Sequence, residues 1–340
     1  MRFDIPVPDA AARAAARERL DGLVKPVGSL GRLEEIAAWL SAAHGCVPPR
    51  PISDVRVVVF AGDHGVSALS AYPREVTGAM VRVFLAGRSG VNVLAAQVGA
   101  RVRVADITVD WDASDIPDSV LAHKIRRGSG SIDVEDALLP GEAVRAFEAG
   151  LSLADEEIST GAELLIPGDM GIGNTAVCAA LVAASLGLPA AEVVGTGTGV
   201  DSDGLARKVE AVSAALARAA GRVEDPFSRL TVLGSACAAA TAGFLVQAAV
   251  RSVPVLLDGV FSGAAALVAR DIAPGAERWW LAGHRSTEPS QAFALEALGL
   301  EPILDLGLRL GEGSGAVQAV PTLRAAQAIL ADMGLLADLT

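Results

Sequence analysis

Along the chain, short apolar runs rich in β-branched residues alternate with longer stretches whose apolar positions recur every three or four residues. The short runs predict strands at residues 55–60, 102–107, 163–167, 192–194, 230–233, 254–257, 279–282 and 302–306. Among the longer stretches, 140–160 places Val144, Phe147, Leu151, Ala154 and Ile158 on one helical face. Residues 175–186 predict another helix, with Asn174 or Thr175 as its cap and Gly187, followed by Pro189, as its stop. Strand–helix alternation implies right-handed crossovers, hence an α/β fold with a mostly parallel, Rossmann-like sheet flanked by helices. Helices near 9–20 and 29–43 precede the sheet and an Ala-rich helix near 321–333 follows it. A small helical domain built from both termini is therefore expected, with 1–45 and 311–340 in it and 46–310 forming the sheet domain. Segment 111–136, acidic and rich in Gly and Ser, reads as a long surface excursion.

Composition sharpens this picture. Aromatic residues make up only 4% against 51% hydrophobic, so the core must be packed from small side chains at close range. The net charge of −12 opposes a polyphosphate backbone, and no basic run exceeds Arg126–Arg127; nucleic acid is not an expected partner. A phosphorylated small molecule stays compatible, because backbone N–H groups bind phosphate locally whatever the global charge. Cys46, Cys178 and Cys237 form no C-x-x-C pair, and the last two lie in Ala-rich apolar runs, which predicts buried free thiols and a reducing compartment. Residues 1–17 carry Asp4, Asp9 and several arginines without an apolar core, so they do not read as a signal peptide, and a cytoplasmic location is expected. The uncharged run 230–250, between Arg229 and Arg251, has the length of a bilayer span. It divides into a β-like run, a Gly-Ser turn and an Ala-rich helix, which reads as core, and no membrane association is expected.

Ligands of parallel sheets gather at the carboxyl ends of the strands. Here those ends carry Gly62-Asp63-His64, Gly168-Asp169-Met170-Gly171, Gly195-Thr-Gly197-Thr-Gly199, Gly234-Ser235, Asp258-Gly259 and Gly283-His284-Arg285-Ser286. The loop from Gly168 through Gly171, Gly173, Asn174 and Thr175 opens a helix directly after a strand, which suits a phosphate or ribose. It also fits a loose dinucleotide fingerprint, but three residues separate the strand from Gly171, and the next acid, Glu192, starts its strand instead of ending it. Gly197 and Gly199 form a second amide-rich turn, with Lys208 on the helix that follows. Lys208 is read either as a solvated helix lysine or as an anion ligand. Glu312, inside Gly311-Glu312-Gly313-Ser314-Gly315, sits on bare backbone near apolar neighbours; burial there raises its pKa toward that of a general base, whereas exposure leaves an ordinary turn acid. Four histidines without H-x-H or H-x-x-x-H spacing argue against zinc, and neither metal nor cofactor is expected. Asp63 and His64 read as lining the site, and Lys25 and Arg126–Arg127 as surface charges.

Taken together, Lys25-Pro-Val-Gly-Ser-Leu-Gly-Arg-Leu-Glu34, Phe60-Ala-Gly-Asp-His-Gly65, Ser70-Ala-Tyr-Pro-Arg-Glu-Val-Thr77, Lys124-Ile-Arg-Arg-Gly128 and the loops above, through Leu304 to Gly315, resemble the nicotinate-nucleotide–dimethylbenzimidazole phosphoribosyltransferase family, in order over nearly the whole chain. The resemblance implies a homodimer whose substrates are nicotinate mononucleotide and a benzimidazole-type base. It implies Glu312 as the base that deprotonates the benzimidazole, and Asp169 and Lys208 around the reacting ribose. Gly171, Gly173, Asn174, Asp258, Gly259 and Ser286 would hold the nucleotide, and Ser70 and Tyr72 the incoming base. The family often has Gln two residues after that Thr, where this chain has Ala79, which bears on the choice of base. The chemistry suits one carboxylate: nicotinate leaves as a neutral ring nitrogen, and only the entering base must lose a proton. Two other functions share these loops, a nucleotide N-glycoside hydrolase and a non-catalytic nucleotide-binding subunit.

Overall fold

The computed structural model describes residues 1–339. Its first half runs α1 (Ala10–Asp21), α2 (Arg32–His44), β1 (Val55–Gly62), α3 (Val76–Leu85), α4 (Gly90–Val98), β2 (Arg101–Thr108), α5 (Asp118–Leu121), α6 (Glu142–Ser159) and β3 (Leu164–Met170). The second half runs α7 (Asn174–Leu186), α8 (Ala190–Val193), α9 (Ser202–Ala219), α10 (Pro226–Leu233), α11 (Ala236–Val250), β4 (Val255–Leu257), α12 (Val260–Ile272), β5 (Trp280–His284), α13 (Pro289–Leu298), β6 (Pro302–Leu304) and α14 (Ser314–Asp332). The strands form one all-parallel sheet in the order β2-β1-β3-β4-β5-β6.

Helices cover both faces, so central strands are apolar on both sides. Along β1, Val58 and Phe60 enter the layer shared with α6, α7, α11 and α12, while Val57, Val59 and Ala61 enter the layer shared with α2, α4 and α14. The two termini meet there: Arg19 donates to the Leu330 carbonyl at 2.8 Å, Leu23 bridges to Leu335, and α14 packs on α2. Small side chains permit close approach elsewhere. Gly150 of α6 and Gly243 of α11 bring the two backbones together, because a Cβ on Gly150 would overlap the Ala240 carbonyl and one on Gly243 that of Phe147. Cys178 and Cys237 are buried free thiols, held well above the usual thiol pKa by burial. A Cβ on Gly62, at the end of β1, would overlap the Cys237 sulfur.

Six expected strands are present, and two are helices. Residues 230–233 are the last turn of α10, which Asp225 caps by accepting from the Ser228 N–H at 2.8 Å, with Pro226 in the first turn. Residues 192–194 belong to α8 and the turn into Gly195. The run 230–250 is thus helical throughout, apart from the Gly234-Ser235 break, and nearly all of it is core. One helical stretch, 76–98, is long and apolar enough to cross a membrane by composition; a turn before the cap Ser89 divides it into α3 and α4. The last long helix starts at Ser314, with Pro321 inside it. The cap of α7 is Gly173 (φ +91°), not Asn174 or Thr175, because the Asn174 amide is turned to Asp169. Segment 111–136 is anchored: Trp111 and Lys124 both reach the fully buried Asp106, Ser129 N–H donates to the Asp63 carbonyl, and Ile132 is core. Lys25 is not a surface charge either; its side chain is 4% exposed and pairs with Glu34 at 2.9 Å. Arg126 is half-buried against Glu142, and Arg127 is exposed.

The helix crossing sets a stability prediction. Gly150→Leu or Gly243→Leu must force α6 off α11, costing roughly 3 kcal/mol by analogy with overpacked cores. Urea unfolding should show a lower midpoint, and an unchanged midpoint in both variants would contradict the crossing.

Candidate active site

The strand order reverses direction between β1 and β3, the position where a crevice opens at the carboxyl edge of such sheets. Asp63 and His64 follow β1, Asp169 ends β3, Asp258 follows β4 and His284 ends β5. All five are buried. Two small adjoining cavities, of about 40 and 50 Å³, occupy this edge and share Asn174, Thr175, Gly197 and Thr198 in their walls. A larger groove of about 470 Å³, by Trp39 and Trp280, lies among α1, α2 and the start of β5, and contains none of the expected residues.

The first cavity is bounded by Ser70, by residues 171–176 and by Lys208. Gly171 is obligatory here, since a Cβ would strike the Gly62 carbonyl and lie 2.8 Å from the His64 ring nitrogen. Among the described residues no side chain caps the amino terminus of α7 at Gly173, so its positive end is left for a ligand. Buried Thr77 accepts from the Ile172 N–H at 3.2 Å and so fixes this loop to α3. Lys208 is a buried cation: Nζ donates to Thr175 Oγ1 at 2.7 Å and to the Gly195 carbonyl at 2.8 Å, with Glu288 at 4.0 Å. Burial lowers its pKa, partly offset by Glu288.

The second cavity is bounded by Asp169, Gly259, His284, Ser286, Glu288, Arg309 and Gly311, among others. Asp169 accepts from the Asn174 amide at 2.5 Å. Its pKa is pushed up to about 7, first by burial and then by the neighbouring Asp258 and Glu312 charges. Glu312 follows this wall directly. Its N–H donates to the Asp169 carbonyl at 3.2 Å, and its φ of +64° is left-handed, a strained choice for a residue with a side chain. The carboxylate is 3% exposed and accepts from the Val91 N–H at 2.9 Å, at the start of α4. Burial raises its pKa above the ordinary carboxylate range, against the pull of that N–H.

Asp258 turns its carboxylate to the start of α14 rather than to open space, accepting from Gly313 N–H at 3.2 Å and Ala316 N–H at 2.9 Å. His284 stands 3.4 Å from it, and its Nδ1 donates to the Arg285 carbonyl. Burial, the largest single influence, opposes charge on this ring, but Asp258, the Arg285 carbonyl and Asp305 together outweigh it and the pKa is raised. His64 is the reverse case, lowered to about 4 by burial and therefore neutral. Ser286 donates its N–H to Gln291 at 2.5 Å, and Gly199 lies beside Arg309. Ser70 borders the first cavity, whereas Tyr72 is half exposed and borders neither. Ala79 is exposed on the outer side of α3. Among the described residues no group of His, Cys, Asp or Glu is arranged to hold a metal.

Sequence reasoning passed over Glu288, Gln291 and Arg309. Glu288 is 4% exposed and accepts from Gly197 N–H at 2.7 Å; Gln291 ties the carbonyls of Asp258 and His284 together. Glu288 and Gln291 flank Pro289 at a helix start, where an acid and an amide carry no signal of a site.

Known proteins share this architecture. A phosphoribosyltransferase family model (DBI_PRT) matches residues 5–338. The nicotinate-nucleotide–dimethylbenzimidazole phosphoribosyltransferase of Mycolicibacterium paratuberculosis is 56% identical over 97% of this chain and 95% of its own length. That of Mycobacterium tuberculosis is 54% identical over 97% and 91%. The crystal structure of CobT from Thermus thermophilus superposes with a TM-score of 0.92 at 44% identity, covering 97% of this chain and 98% of that one.

The electrostatics of Asp169 make a prediction about the empty protein. A raised folded-state pKa gives stability that is fully present below the unfolded value and is lost as pH rises through about 7. Asp169→Asn should therefore be more stable than the parent at pH 8, with the gap closing by pH 4. Thermal unfolding across that range checks this, and a variant less stable at pH 8 than at pH 4 relative to the parent would reverse the sign.

Proposed function

The chain belongs to the nicotinate-nucleotide–dimethylbenzimidazole phosphoribosyltransferase family, and on that premise we propose a division of labour among its site residues. The enzyme transfers 5-phosphoribosyl from nicotinate mononucleotide to 5,6-dimethylbenzimidazole or a related base, giving α-ribazole 5′-phosphate and nicotinate for cobalamin synthesis. The bond from C1′ to the nicotinate nitrogen breaks, and its electron pair neutralises the pyridinium. One nitrogen of the entering base bonds to C1′ from the opposite face, which yields the α-nucleotide. Its second nitrogen becomes acidic and gives its proton to Glu312.

The observation that carries this assignment is the placement of Glu312: a buried carboxyl with a raised pKa, on a left-handed turn bonded to Asp169 at the crevice. Asp169, when ionised, offers negative charge to an oxocarbenium-like ribose. Gly171, Gly173 and Asn174 at the amino terminus of α7, with Lys208, hold the ribosyl phosphate. Gly197, Gly199, Gly259 and Ser286 shape the wall around it, and Asp258 serves by holding the Glu312 turn. Ser70, in the wall of the first cavity, faces the entering base, whereas Tyr72 borders neither cavity and Ala79 is exposed, so neither is given a contact with the base. We also place the enzyme in the cytoplasm, in keeping with its three unpaired cysteines. A homodimer is proposed as well, with exposed Leu310, which lies against Gly90 beside Glu312, as apolar surface next to the site.

One observation favours a second role for Glu312. Its bond to Val91 N–H makes it an acceptor at the start of α4, a purely structural duty. Glu312→Gln keeps one oxygen for that bond and removes the base. Turnover of nicotinate mononucleotide with a panel of bases, read by mass, should fall about 10²- to 10⁴-fold in this variant while nucleotide binding stays within about twofold. Unchanged turnover would leave Glu312 a structural acceptor. Nicotinate released by the parent at the same rate without any base would instead make it a hydrolase.

A further inference from the structure

The candidate site is rich in acid. Asp169 and Glu288 border the second cavity, and Asp258 and Glu312 lie directly behind it. A nucleotide phosphate brings further negative charge to this edge of a chain with net charge −12. Among the described residues two permanently cationic side chains border the two cavities, Lys208 and Arg309, beside the His284 ring that faces Asp258. Lys208 is already committed, with donors on Thr175 and the Gly195 carbonyl and its charge facing Glu288. Arg309 is not. It makes one hydrogen bond, Nη1 to the Gly197 carbonyl at 3.3 Å, and pairs with no carboxylate among the described residues.

Its location suits a ligand-facing role. Arg309 lies between β6 and α14, flanked by Gly307 (φ +66°) and Gly311 (φ +79°), and reaches across to the turn at Gly197 and Gly199. A Cβ on Gly199 would already lie 3.5 Å from Arg309 Nη1, so the bare glycine leaves the guanidinium room. The turn it reaches adjoins the uncapped amino terminus of α7 across Thr175, whose hydroxyl and Lys208 lie at Gly197. Four of the five guanidinium N–H groups remain for a ligand, in a planar fork that matches phosphate oxygens.

Resting on the phosphoribosyl-transfer reading above, we propose that Arg309 binds the 5′-phosphate of the nucleotide, bridging it to the Gly197–Gly199 turn, and thereby sets the preference for nucleotide over nucleoside. The pyridinium ring, itself cationic, gains nothing from this contact. Arg309 thus contributes to holding the phosphate and leaves proton transfer to others.

The test is calorimetric binding of nicotinate mononucleotide, nicotinate riboside and nicotinamide mononucleotide, without any base, to the parent, Arg309→Ala and Arg309→Lys. Arg309→Ala should weaken both mononucleotides about 10- to 100-fold and leave the riboside unchanged, with Arg309→Lys recovering part of the loss. Because the side chain is exposed, thermal unfolding should not move. Equal weakening of nucleotide and riboside, or no weakening, overturns the proposal. Weakening of the nicotinate nucleotide alone assigns the guanidinium to the ring carboxylate and also overturns it. A parent that binds the nucleotide but transfers it to no base defeats the functional reading while leaving the Arg309 assignment to these affinities; a parent that binds no nucleotide defeats both.

Discussion

The site depends on how closely one backbone turn can lie on the end of a strand. Gly168 in β3 has no Cβ, and the Glu312 carbonyl occupies the space where one would be. Glu312 N–H then reaches the Asp169 carbonyl, and Asp258 grips the N–H groups of Gly313 and Ala316 just beyond. Gly313 takes φ +91° beside Val57 and Ile166, and Gly315 leaves room for the His284 ring. The glycines around Glu312 are thus steric requirements of bringing α14 onto the sheet edge. A glutamate held left-handed in such a turn has few ways to relax, so its carboxyl is placed by the backbone itself.

The same edge holds buried acids without the cations that accompany them elsewhere. At the opposite end of β1, for example, buried Arg56 is paired with Asp54 and Glu157. At the carboxyl end the acids Asp169 and Glu312 lack such cationic partners among the described residues, and their pKa values rise together. Two groups near each other and both reluctant to ionise are a source of proton-accepting chemistry near neutral pH. The uncapped α7 terminus and the amide-rich turns beside it supply positive potential at the same edge without pairing with those acids.

Much of this was readable from residue order. Six strands, the glycine-rich turns after them and the isolated Glu312 were all visible, since apolar runs and glycines are local signals. Residues 230–233 misled because four apolar residues fit a strand or one buried helical turn equally well; the Asp225-Pro226 start signal was the better guide. Pro321 misled for a related reason, as proline usually opens a helix and here lies inside one. Lys25 and segment 111–136 looked solvated, but each is held by an acid outside any helical or strand spacing, Glu34 or Asp106, so the pairing shows only in the folded chain. Glu288 and Gln291 act through tertiary contacts alone, which a linear reading cannot supply.

Cys237 lies where β1 gives way to the crevice, pressed between Gly62 and the helix layer. Its sulfur is out of reach of solvent and, with its pKa raised by burial, has little tendency to become a thiolate. Any alkylating reagent must wait until α11 parts from the sheet. The speed at which this thiol is modified is therefore a native clock for breathing of the layer under the crevice, and half-buried Cys46 supplies the comparison for ordinary local access.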